Sequence, residues 1–245
     1  MIHYLFWTIL RFFMRFIHLT KVAVCSFMSK MPISTSTTTM AEMKAVNFVK
    51  DDKILIVGLG NYDMPRTRHS VGMRVVDYLA RVRECKWERN RAVNGFVATF
   101  SHEPEILLLK SKHFMNLSGK SVKKAVTNLD VPVGNIYLIC DELDKTVGKF
   151  SIKEGGSTKG HNGVRSVTNA LQTLDIPRLL VGIDRPASKS DVAFYVLRPF
   201  TAEEDAVIEK TLPNAAKLIL SHLQKRMGED CEHNLIDLLP KLQSS

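Results

Sequence analysis

The chain has 245 residues, 45% of them apolar, and a formal net charge of +9. That length and apolar share exclude a disordered chain and allow one sizeable folded domain. Cys25, Cys85, Cys140 and Cys231 are scattered, with no CxxC pair and no Cys/His ligand spacing, so they read as reduced thiols of an intracellular protein and exclude a zinc site.

Residues 1–41 hold Arg11, Arg15, Lys21 and Lys30 and no acid, which leaves a charge of +5 on residues 42–245. A moderately basic body suits a phosphate-rich partner. Arg11, Arg15 and His18 recur at helical spacing, and Phe12, Phe13, Phe16 and Ile17 lie largely away from them. This basic amphipathic start, followed by the Ser/Thr run at 34–39, is similar to a mitochondrial transit peptide. Charges at 11, 15 and 21 interrupt the apolar run and disfavour a membrane-spanning helix. Met28, Met31, Met40 and Met43 are alternative starts that would leave a cytosolic protein. Residues 1–41 are therefore read as a targeting-like or disordered extension, 42–230 as the folded domain and 231–245 as a C-terminal tail.

Within that domain, Lys53–Val57 is a short apolar run that ends in Gly58-Leu59-Gly60-Asn61, as a buried strand and tight turn would. Val71–Val82 has helical spacing, with Val75, Val76, Leu79 and Ala80 on one face. Asn94–Phe100 and Glu105–Leu109 read as a hairpin around Ser101–Pro104. Ser118–Leu129 reads as a helix, and Asn135–Ile139 as a buried strand that ends at Cys140-Asp141. Lys149–Lys153 alternates as a strand. Gly155-Gly-Ser-Thr-Lys-Gly-His-Asn-Gly163 follows it, the densest run of small and polar residues, and leads into a helical pattern from Val164. That layout is a loop feeding a helix N-terminus, where free N–H groups favour anions. Arg178–Ile183 is a further strand. Thr201–Arg226 holds acid-rich and then apolar helical segments, opened by a Thr201/Glu204 capping box. The alternation predicts the α/β class: a single domain with a mixed, mostly parallel sheet flanked by helices.

Sites in such sheets gather beyond the carboxyl ends of the strands. Gly58-x-Gly60 lacks the third glycine of a dinucleotide fingerprint, because position 63 is Asp. There is no P-loop, no G-x-S-x-G elbow and no HExxH motif, so covalent and metal catalysis are both unsupported. His69 stands just before a helix and Asp141 just after a buried strand. Together they suit a base and its orienter, since a carboxylate that accepts one imidazole N–H leaves the other nitrogen free to take a proton from water. Asn61, Asn116 and Asn162 offer neutral donors and acceptors for ester or amide groups.

Five ordered motifs carry a resemblance: Ile54–Asn61, Thr67–Gly72, Phe114–Gly119, Asp141–Asp144 and Gly155–Gly163. Over residues 52–225 the chain resembles the bacterial-type peptidyl-tRNA hydrolases, in their animal version. The resemblance implies a monomeric enzyme, without metal or cofactor and with no stable protein partner, that cuts the ester between a peptide and the terminal ribose of tRNA. It assigns the base to His69 and its orienting acid to Asp141. Asn61 takes the position that separates N-blocked from free aminoacyl-tRNA. Asn116, Asn162, Phe114, Met115 and His161 become substrate-binding or cleft residues. His161, the obvious base in the glycine loop, is thereby moved to a positioning role. Tyr62, Lys153, Lys159 and Arg165 are candidate tRNA contacts.

The chain departs from many bacterial members in three places. Tyr62-Asp63 replaces Pro-Gly, with Met64 where a Tyr stands five residues before the base. Leu180 replaces an Arg, and Ser151 replaces a Lys. The competing expectations are a catalytically inactive RNA-binding relative of the same fold and a nucleotide-dependent enzyme that uses Gly58-x-Gly60.

Overall fold

The structure, a computed structural model, describes residues 47–50, 52–100, 106–228 and 235. The targeting-like segment 1–41, the turn Ser101–Pro104 and, apart from Leu235, the tail 231–245 lie outside those residues.

Seven strands are described: β1 (Ile54–Gly58), β2 (Glu88–Asn90), β3 (Gly95–Thr99), β4 (Ile106–Ser111), β5 (Ile136–Glu142), β6 (Phe150–Lys153) and β7 (Arg178–Gly182). They form one sheet in the order β2-β3-β4-β1-β5-β7-β6. The helices are α1 (Val71–Val82), α2 (Ser118–Asn128), α3 (Asn162–Leu171), α4 (Val192–Leu197) and α5 (Ala202–Met227). The expected mixed sheet is present. Its parallel part is the central set β4, β1, β5 and β7, while β2, β3 and β6 add antiparallel edges.

β1 lies at the centre and all five of its residues are buried. Its side chains alternate between faces, as the two-residue period of a strand requires. Ile54 and Ile56 join the apolar cluster built with α1 and α5, and Leu55 and Val57 join the one built with α2 and α3. Coverage on both faces explains why the strand is a continuous apolar run rather than an alternating one. β1 pairs with β4 on one side and with β5 on the other. The crevice beyond its carboxyl end is therefore a topological switch point, where open α/β sheets bind ligands.

α1 has the limits its periodicity predicts. Gly72, in its first turn, lets it approach β5, since a Cβ there would lie 2.2 Å from the Ile139 carbonyl oxygen. The two segments expected over 201–226 form one helix that runs through Pro213. Thr201 Oγ1 accepts from the Glu204 N–H at 3.2 Å and Glu204 Oε2 from the Thr201 N–H at 2.7 Å, the capping box read from the sequence. β2 and α4 were not legible, because three and six residues are too few to show a period.

Candidate active site

His69 lies in a short 3-10 turn, Arg68–Ser70, that feeds α1. Asp141 is not beyond β5, as the sequence suggested, but inside its last turn of pairing, opposite Val181 of β7. Both side chains are buried, at 8% and 5% exposure. His69 Nδ1 stands 2.8 Å from Asp141 Oδ1. His161 Nε2 stands 2.9 Å from the same oxygen, and the two imidazole centroids are 4.9 Å apart.

The hydrogen bonds fix the tautomers. A neutral imidazole has one donor and one acceptor nitrogen. His161 Nδ1 accepts from the backbone N–H groups of Gly163 (3.1 Å) and Val164 (3.2 Å), capping α3. Its proton therefore sits on Nε2 and is donated to Asp141. His69 likewise donates from Nδ1, and its Nε2 makes no hydrogen bond among the described residues. Burial by itself would push the Asp141 carboxyl up. His161 and then His69, each donating an N–H to the carboxylate, outweigh it and hold the group well below the usual carboxylate range.

Asn61 is braced at both ends. Its backbone N–H donates to Ser70 Oγ at 3.1 Å, and its Oδ1 accepts from the Met115 N–H at 2.8 Å. The Nδ2 donor end has no partner among the described residues. Met115 is 4% exposed and belongs to the apolar cluster under α2 and α3. It serves the site through its backbone and through packing against Gly163, where a Cβ would come within 2.3 Å of the Met115 sulfur. Phe114 is exposed, as is Asn116, which makes no protein hydrogen bond among the described residues. Asn162 opens α3, is exposed, and accepts from Arg165 Nη2 at 2.6 Å. A cleft of about 410 Å³ holds His69, Asp141, His161 and Asn162, with Val192 and Val196 of α4 on another wall.

The basic candidates sit in differing company. Lys153 Nζ donates to the Ser157 carbonyl at 3.1 Å. Burial, then Arg178 and Lys159, pull its ammonium below the usual lysine range. Lys159, at φ +48°, places Nζ 3.7 Å from Glu142 Oε2 and 3.7 Å from Asp144 Oδ2. Tyr62 stacks on Phe96 at 4.8 Å and 7°, which occupies one face of its ring.

Two roles escaped the sequence reading. His161 was expected in the cleft but not as a second donor to Asp141; its place directly before a helix start was the available signal. Arg178, 2% exposed, donates to the carbonyls of Gly156, Ser157 (3.1 Å) and Ile176 (3.3 Å), and so fastens the glycine loop to β7. A lone charge opening an apolar strand was its signal. The ligand atoms of His69, Asp141 and His161 lie within 4.8 Å of one another, close enough for a metal. Both imidazoles, however, already donate protons to one oxygen, and His161 Nδ1 is committed to the helix. A cation held by all three would have to displace either the His161 proton and its bond to Asp141 or the cap that His161 makes on α3.

Residues 55–236 match the family described as Peptidyl-tRNA hydrolase. A mouse protein named probable peptidyl-tRNA hydrolase is 41% identical over 176 residues, covering 70% of this chain and 86% of that one. A peptidyl-tRNA hydrolase of Sulfurihydrogenibium is 34% identical over 187 residues, covering 74% and 98%. The crystal structure of peptidyl-tRNA hydrolase from Acinetobacter baumannii superposes with a TM-score of 0.65 at 27% identity, covering 79% of this chain and 98% of that one. By the matched span and by these identities over most of each chain, the chain belongs to the peptidyl-tRNA hydrolase family.

Proposed function

We infer that this chain is a peptidyl-tRNA hydrolase that uses water to cleave the ester between a peptide, or an N-blocked amino acid, and the terminal ribose of tRNA. The observation that carries the mechanism is the buried His69 Nδ1–Asp141 contact of 2.8 Å, with His69 Nε2 unoccupied. Nε2 takes a proton from water as its oxygen attacks the ester carbonyl. The tetrahedral adduct then breaks its C–O bond to the ribose, and the imidazolium returns the proton to the leaving ribose oxygen. Asp141 holds the tautomer and stabilises the imidazolium.

Asn61, tied by its backbone N–H to Ser70 next to the base, uses its free Nδ2 to read the amide of a blocked α-amino group. Asn116 and Asn162 stand exposed at the starts of α2 and α3 to hold the peptide, with Phe114 beside them. In this reading the chain acts as a monomer with no metal or organic cofactor, and the basic candidates Lys153, Lys159, Arg165 and Tyr62 face tRNA. The decisive experiment compares hydrolysis of N-blocked and unblocked aminoacyl-tRNA by the full chain and its His69→Ala variant. Selective cleavage of the blocked ester, abolished in the variant, is expected. Equal turnover by the variant, or none by the parent, overturns the reading.

A further inference from the structure

Near the catalytic end of the sheet, several cations are neutralised by neighbouring acids. Lys159 faces Glu142 and Asp144, Arg185 bonds Asp144 at 2.7 Å, Arg68 pairs with Glu204, and Arg74 pairs with Asp205 and Glu209. A second groove, of about 600 Å³, differs. It is lined by Lys86, Arg89 and Arg91, beside Lys53, with Glu88 as the one acid among its described lining residues. Lys86, Arg89 and Arg91 are exposed and make no ion pair among the described residues. Lys53 donates from Nζ to the Leu129 carbonyl at 3.1 Å.

The groove lies at the amino ends of the parallel strands, opposite the catalytic end. Lys53 immediately precedes β1, Thr99 and Leu107 pair where β4 begins, and Leu129 closes α2. The five residues of β1 set the two ends about 16 Å apart. α2 spans the same distance, about 16 Å for its 11 residues, from beside Asn116 to the groove. It contains no acid, and Lys120, Lys123 and Lys124 are exposed on it. Lys120 lies in the first turn of α2 and Lys123 and Lys124 in the second. Asn90 Oδ1 accepts from the Ala92 (3.0 Å) and Val93 (3.3 Å) N–H groups, an Asx turn that fixes the backbone of residues 90–93 on which Arg91 stands. Among the described residues none of the large exposed apolar side chains lines the groove, so they give it no anchor of the kind a protein interface or a bilayer uses.

We propose that the α2 lysines and this groove form a second RNA contact, a basic track that carries the phosphate backbone of the tRNA body away from the ester. The track rests on the assignment of peptidyl-tRNA as substrate, and its chemistry is sequence-independent phosphate binding. The test is the exposed triple variant Lys86→Ala/Arg89→Ala/Arg91→Ala in the full chain, with binding of deacylated tRNA and ester turnover both measured between 50 and 200 mM salt. Each phosphate contact contributes about 0.7–0.9 to the log–log salt slope, so the parent's affinity should fall about twenty- to fortyfold more than the variant's across that range. At low salt KM should rise with kcat unchanged, and an N-blocked aminoacyl ester of a CCA trinucleotide should be cleaved equally by both.

An unchanged slope and KM would overturn the track. So would tRNA binding that is unaffected while poly-glutamate binding is lost, which would make the groove a protein site. If the parent binds tRNA with the steep slope yet cleaves neither ester, the catalytic reading fails while the track stands.

Discussion

Two segments bring a histidine to the same carboxylate oxygen from opposite faces of the sheet. Thr67–Ser70 delivers His69 ahead of α1, and the glycine loop delivers His161 ahead of α3. The distances to Asp141 are nearly equal, so proximity to the acid does not distinguish the two side chains. The second nitrogen does. His161 gives Nδ1 to the free N–H groups of a helix start, while His69 keeps Nε2 unbonded. One imidazole is thereby a cap that supplies a donor, and the other keeps a nitrogen free for the proposed role of base.

The largest expected effect breaks this comparison at its reactive side. His69→Ala should lower kcat by at least ~10²–10⁴-fold, the usual share of a general base, with affinity for deacylated tRNA retained. Comparable turnover by His69→Ala with complete loss in His161→Ala would reverse the two roles.

Asp141→Asn comes next. It keeps the shape but removes the charge that fixes the His69 tautomer, and kcat should fall about 10²-fold with a native circular dichroism spectrum. The same carboxyl sets an acid limit on stability. Its folded value lies below its unfolded one of about 3.9, so its stabilisation is fully present above that pH and is lost as pH falls towards the lower folded value. The parent should therefore lose stability more steeply than Asp141→Asn from pH 4 downward in acid titrations followed by circular dichroism. Parallel curves would show that the two imidazoles do not favour the ionised acid.

His161→Ala should reduce stability by about 0.5–2 kcal/mol, the range for a lost N-cap, read from denaturant midpoints. Its effect on kcat should be smaller than that of Asp141→Asn. His161→Asn sharpens the point, because Asn caps well but is too short to reach Asp141: stability should return while the kcat deficit remains. The smallest change is Lys159→Ala. Its ion pairs are half-exposed and longer than hydrogen-bonding distance, so stability should shift by less than about 1 kcal/mol.

Much of this architecture was written locally. β1, α1, α2 and β7 follow from runs and periods of apolar residues, since a strand or helix that buries a face must repeat at 2.0 or 3.6 residues. The glycine loop, the capping box at Thr201 and the His/Asp/Asn set could be read as residue types, and the ordered motifs gave each a role. Short elements such as α4 left no period to read. Nor did the sequence show that Asp141 ends inside β5, because pairing with β7 extends the strand beyond its apolar run.

By itself, then, the sequence determined the α/β class and the buried strands, because these depend on composition and spacing along one segment, and its ordered motifs nominated His69 and Asp141 for the roles proposed above. The tertiary structure decided which nitrogen each histidine has left, that Arg178 holds the glycine loop, and that Lys86, Arg89 and Arg91 make no ion pair among the described residues. Those are distances between residues 20 to more than 130 positions apart. They are set by how α1 and α3 pack on opposite faces of one sheet, and no periodicity within a single element encodes them.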